Sequence, residues 1–204
     1  MKAHVCAPNG LLADAAEHWL HARRTTLPKR LQGPGPDEAQ KSRILWAASA
    51  APDHQQIQPW RFVEVTAAKR HLLAQAFAQA LHERDAKASA QELDQAREKA
   101  HRAPWLLLAI CRTQQAEHEG DDSIPTSERL VSLGCALQNM MLMCTALGLG
   151  SSLTSGKAMH AQAIRQLFAL PAHEIAICWL NIGHIQSSRT NRQRPSPADY
   201  FSVL

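Results

Sequence analysis

Along the first part of the chain, Leu11, Leu12, Ala15, Ala16 and Trp19 recur at helical spacing and predict an amphipathic helix over residues 9–21. Gly33-Pro34-Gly35-Pro36 is turn chemistry, and Asp37 with Gln40 three residues on reads as a capping box. The helix it opens should bury Ile44, Leu45 and Ala48. Residues 62–65 alternate like a strand, and Thr66 is placed to cap a helix carrying Leu72, Leu73, Ala76, Phe77 and Ala80. Residues 86–99 are alanine-rich and charged, with Leu93 almost their only large apolar residue. They predict a helix that rests on the body or moves as a cover, ended by Pro104.

The run 106–111 is short and wholly apolar, as a strand buried on both faces would be. Residues 130–149 approach membrane-spanning length, yet Gln138 and Asn139 at their middle favour a core helix, with Pro125 at its start and Gly148 and Gly150 at its end. A strand over 151–154, a helix over 162–168 stopped by Pro171, a buried strand over 175–182 and a polar tail after Gly183 complete the pattern. Helix pairs separate the strands, so the expected class is α+β rather than a doubly wound parallel sheet. Gly148-Leu149-Gly150-Ser151-Ser152-Leu153 follows a helix and lacks its third glycine, which excludes a dinucleotide fingerprint. Trp46, Trp105 and Trp179 sit on apolar faces and are expected in the core; Trp60 is placed to seal the base of the loop before it.

Composition narrows the function without naming it. With 204 residues and 45% apolar content, one domain over 1–204 can bury a sizeable core. The charge of +4 is dispersed, which argues against nucleic acid. Arg189, Arg192 and Arg194 form the densest basic cluster and read as a solvated tail or a site for one anion. Cys6, Cys111, Cys135, Cys144 and Cys178 have no paired spacing, and all but Cys6 lie in or beside apolar segments, as in a reducing compartment. The eleven histidines form no ligand array, so no metal is expected. The first twenty residues lack a basic leader followed by an apolar stretch, and a cytoplasmic location is expected.

Four motifs then stand in order: Arg23-Arg24-Thr25, the loop Ala51-Pro52-Asp53-His54-Gln55-Gln56-Ile57-Gln58-Pro59-Trp60-Arg61-Phe62, Ala103-Pro104, and Gly148-Leu149-Gly150 leading to Gly156. Together they resemble the flavin-dependent nitroreductase family, in its short bacterial branch. The resemblance implies a nitroreductase-like fold with a mixed or antiparallel sheet, a homodimer, and FMN held at the dimer interface. It also implies NAD(P)H as electron donor, a nitroaromatic, quinone or similar electron-poor acceptor, and ping-pong turnover. A flavin-binding sensor without turnover, and other reactions of the superfamily such as dehydrogenation or reductive dehalogenation, remain open.

Carried over residue by residue, the resemblance assigns cofactor binding to Arg23, Arg24, Thr25, His54, Gln58, Leu153, Thr154, Ser155 and Arg192. It assigns no acid, base or nucleophile. Guanidinium forks suit a phosphate, although two cations at a helix C-terminus also offset its dipole. His54 and Gln58 offer donors to the flavin; in the alternative, Asp53 and His54 close an Asx-type turn and Gln58 satisfies loop backbone. The family's short branch tends to carry Trp-Arg where Leu153-Thr154 stands here, a departure that removes an aromatic and a charge near the ring.

Overall fold

The computed structural model describes residues 10–114, 124–187 and 194–204; Cys6, Arg189 and Arg192 lie outside them. Helix α1 spans Gly10–Ala22 and strand β1 Leu31–Gln32. They are followed by α2 (Glu38–Ala48), β2 (Trp60–Glu64), α3 (Arg70–Arg84) and α4 (Ala90–Glu98). The second half holds β3 (Trp105–Arg112), α5 (Thr126–Ala146), β4 (Gly150–Thr154), α6 (Gln162–Leu167) and β5 (Glu174–Ile185). The sheet runs β1-β5-β3-β2, with β4 also pairing β5, and every strand pair is antiparallel. A parallel bridge joins Thr25 to Ser151. This is the α+β architecture that the hydrophobic pattern predicts.

Strand β3 shows why its apolar run is unbroken. Trp105, Leu107, Ala109 and Cys111 face Ile44 of α2 and Leu133, Leu137 and Met140 of α5. Leu106, Leu108 and Ile110 face Leu73 and Ala76 of α3 and Ile164 of α6. Both faces are covered, so neither alternate set can be polar. Asp37 and Gln40 close the capping box of α2 reciprocally, and Ser89 and Glu92 do the same for α4.

Arg70 is buried and ties three segments together, donating from Nε to the Val65 carbonyl, from Nη1 to Ala100 and from Nη2 to Pro104. Burial pulls its pKa below the ordinary guanidinium value. The clasp anchors the C-terminal end of the α4 segment against α3 and the start of β3. The helix that the sequence leaves as either a rest or a cover packs on α3 in this structure and contributes Ala96 to a cavity wall.

Several elements differ from expectation. On α2 the stripe buried against α5 is Ile44 and Ala48, a spacing of four; Leu45 and Trp46 lie about 100° and 200° around the helix and are 42% and 76% exposed. Helix α1 buries no residue in this chain, although the Trp19 indole donates to the Leu142 carbonyl at 3.1 Å. Leu130 and Val131 of α5 are exposed too. Thr66 precedes a short 3-10 turn rather than α3 and makes no side-chain cap. Gly150 opens β4 instead of ending α5, and β5 continues two residues past Gly183 to pair with β1. Trp60, Trp105 and Trp179 are buried as expected. No described helix is long and apolar enough to cross a membrane, and no described group of His, Cys, Asp or Glu is arranged to hold a metal.

Candidate functional site

The chain leaves α1 through Arg23 and Arg24 and meets the start of β4, where Thr25 bridges Ser151 and the Thr26 amide donates to the Ser151 carbonyl at 2.9 Å. The early arginines and the 151–155 segment are thereby joined, although more than 120 residues separate them in sequence. Arg194, from the C-terminal segment, donates to the carbonyls of His21 and Arg23 at 2.9 and 3.1 Å. These carbonyls lie at the C-terminal end of α1 and just beyond it, where backbone acceptors attract a cation. Burial first, then the charges of Arg194 and Arg24, pull the pKa of Arg23 down. Three guanidinium groups are gathered against their mutual repulsion, and an anion placed among them would relieve it.

Two residues further on, Leu27 enters the wall of a cavity of about 590 Å³. Thr154, Ser155 and Gly156, at and just beyond the end of β4, form an adjoining wall, and Phe77 and Leu81 of α3 and Ala96 of α4 form another. Asn181 of β5 positions β4. Its Nδ2 donates to the Ser152 carbonyl at 3.2 Å and to the Thr154 hydroxyl oxygen at 2.9 Å. Because that oxygen accepts from Asn181, the Thr154 proton is left to donate elsewhere. Ser152 is buried, with a hydroxyl that finds no partner among the described residues. The rim is basic: Lys29, Arg84, Lys99, Arg102 and Lys157 line it.

The nine positions assigned from sequence fall into two groups in this chain, with Arg192 outside the described residues. Arg23, Arg24, Thr25, Leu153, Thr154 and Ser155 lie along one continuous path, with Leu153 39% exposed and Thr154 and Ser155 on the cavity wall. His54 and Gln58 do not line the cavity. His54 Nδ1 meets Glu128 Oε2 in the first turn of α5 at 3.0 Å, and the Gln58 amide donates to Asp53 Oδ2 at 2.7 Å. Arg112 Nη1 donates to the Gln58 carbonyl at 3.2 Å. The loop is strained, with positive φ at Gln55, Gln56 and Gln58.

Arg194 is the residue that sequence reading placed in a solvated tail or anion site without separating it from its neighbours. Only its contact with the end of α1 singles it out. The cavity's basic rim was equally hidden, since its members come from four separate stretches of the chain. Two buried thiols offer no rival chemistry: burial pushes Cys144 up to about 12 and Cys178 up to about 11.

Comparison with known proteins places this geometry. The family model described as Nitroreductase family matches residues 20–184. An Escherichia coli K12 protein named "Putative NAD(P)H nitroreductase YdjA" is 27% identical over 195 residues, covering 94% of this chain and 100% of its own. Among solved structures, a nitroreductase-like family protein of Bacillus cereus superposes with TM-score 0.77 at 14% identity, covering 98% of both chains. A Bacteroides fragilis nitroreductase with bound FMN gives 0.66 at 18% identity, covering 97% of this chain and 100% of that one. These two structures establish the fold. The family model covers the end of α1, the strained loop and all of the sheet but the last residue of β5, and the chain belongs to the nitroreductase family.

Proposed function

We propose that this chain is an FMN-dependent NAD(P)H oxidoreductase, a homodimer built from one domain over residues 1–204, reducing a nitroaromatic, quinone or similar electron-poor acceptor by a ping-pong scheme. The observation that carries the reading is the joining of Arg23, Arg24 and Arg194 to the Thr154–Ser155 wall through the Thr25–Ser151 bridge. An anion-binding end and a ring-sized cavity then lie along one path, as a flavin mononucleotide requires.

FMN supplies two-electron redox chemistry, which lets donor and acceptor use one site in turn. The chain's own residues bind and orient. Arg23, Arg24 and Arg194 would hold the phosphate, with Thr25 beside them; Leu153, Thr154 and Ser155 would offer backbone and hydroxyl donors to the ring edge. No glycine-rich turn is present to cradle a pyrophosphate, which favours the mononucleotide over the dinucleotide. Arg192, to which the resemblance also gave a cofactor role, lies outside the described residues.

Support for the dimer comes from apolar surface that the protomer leaves open. Trp46 of α2, Val131 of α5 and Leu12 of α1 are 76%, 66% and 58% exposed, and a second copy would cover them. A second copy also accounts for the separation of His54 and Gln58 from the cavity, by delivering them to its partner's site.

The test is the absorbance spectrum of protein purified without added cofactor, followed by mixing with NADH or NADPH. A bound flavin, released by heat as the mononucleotide and bleached by either nucleotide, is expected. A colourless protein that takes up no FMN, or a flavin that neither nucleotide bleaches, overturns the reading.

A further inference from the structure

The cavity carries more positive charge than flavin binding requires. Lys29, Arg84, Lys99 and Lys157 line it and form no ion pair with any described residue, while Arg102 is paired with Glu98. No described Asp or Glu shares the lining. Four like charges around one opening repel each other, and lysines with carboxylate neighbours within reach normally pair with them, as Lys41 does with Glu38. Below the rim the cavity is apolar and aromatic. Phe77 meets Trp179 edge to face, with ring centroids 5.6 Å apart at 89°, and Leu81, Leu106 and Met159 extend this floor. Its volume of about 590 Å³ lies inside the range of about 300–1,000 Å³ typical of small-molecule sites.

We infer that the electron acceptor of this enzyme is an aromatic acid, whose ring enters this cavity beside the flavin ring, on the side of Phe77 and Trp179, and whose carboxylate or sulfonate faces Lys29, Arg84, Lys99 and Lys157. This rests on the oxidoreductase reading and narrows its substrate class. The cations are exposed, so the attraction acts mainly through summed charge and is weakened by salt.

Calorimetric titration of the flavin-loaded protein with benzoate and with benzamide tests the preference, since the two differ chiefly in charge. Benzoate should bind about tenfold or more tightly at low ionic strength. In the double variant Lys99→Gln/Lys157→Gln, and in the parent at raised ionic strength, that preference should fall by about three- to tenfold. Equal affinities, a failure of benzoate to bind, or a preference indifferent to both the variant and salt would overturn the inference.

A second arm mixes dithionite-reduced enzyme with 4-nitrobenzoate or 4-nitrobenzamide. Two electrons from the reduced enzyme and two protons convert the nitro group to nitroso and release water. The ratio of the two reoxidation rates, taken between parent and variant, cancels the compounds' own reducibility, and it should move with the binding preference. A reduced enzyme that neither compound reoxidises, with the benzoate preference intact, sinks the oxidoreductase reading and leaves the anion site standing.

Discussion

Replacing Arg23 by Gln separates a phosphate-binding role from a structural one, because the structure predicts opposite signs for the two. Arg23 stands beside Arg194 and Arg24, and its lowered pKa reflects burial and then their repulsion. Gln removes the charge and keeps a side chain of similar reach, while the Arg23 carbonyl that Arg194 grips at 3.1 Å belongs to the backbone and survives. Loss of one charge-assisted hydrogen bond to the phosphate costs about 1.5–3 kcal/mol, or about one to two decades in FMN affinity. The apoprotein, relieved of repulsion that solvent largely screens, should gain no more than a few tenths of a kcal/mol. The assay is fluorescence titration with FMN and with phosphate-free riboflavin, alongside urea unfolding of the apoprotein. FMN should weaken far more than riboflavin, and the urea midpoint should hold or rise slightly. Equal weakening of both flavins, with an apoprotein less stable by about 0.3–1 kcal/mol, would mean that Arg23 serves the C-terminus of α1 and not a ligand. Arg24→Ala should follow the same pattern if both forks reach the phosphate.

Trp46→Glu puts a charge on the 76% exposed indole position of α2 and should convert a dimer to monomers in sedimentation, with FMN affinity falling together with association; a variant that remains dimeric refutes this choice of interface. Glu174→Gln strips the counter-charge from Arg61, whose Nε and Nη2 hold the carboxylate at 2.8 and 2.6 Å, and should cost about 2–3 kcal/mol at neutral pH by urea unfolding. The Arg61 hydrogen bonds hold the Glu174 pKa below its ordinary value. Its contribution is therefore present above the unfolded value near 4.3 and lost as pH falls through the lower folded one, so parent and variant should converge in acid. Gly183→Ala would bring a Cβ within 2.8 Å of the Pro104 ring and 3.1 Å of the Gln32 carbonyl; about 1–3 kcal/mol should be lost, and an unchanged melting temperature would show that β5 can shift.

The local elements were legible because their causes are local. The capping box at Asp37 and Gln40, the stop at Pro104 and the two-sided apolar run of β3 each act within a few residues, and the structure realises all three. Burial on helices was read less well, since a helix carries its apolar residues wherever a partner will cover them. Leu45 and Trp46 on α2, and the stripe of α1, are apolar without being buried in this protomer, and no intrachain pattern distinguishes the two cases. The two-residue β1 escaped for a different reason: its pairing is set by β5, not by its own sequence.

The site divides along the same line. The sequence by itself carried four motifs that resemble those of the nitroreductase family, legible because each is a short stretch with its own turn or helix end. Tertiary structure decided which of them meet. The Thr25–Ser151 bridge, the choice of Arg194 to clasp the end of α1, and the gathering of Lys29, Arg84, Lys99 and Lys157 around one cavity all depend on how β4, β5, α3 and α4 pack. Charge acts through space, and separations of fifteen to more than a hundred residues along the chain give no hint of which cations will share an opening.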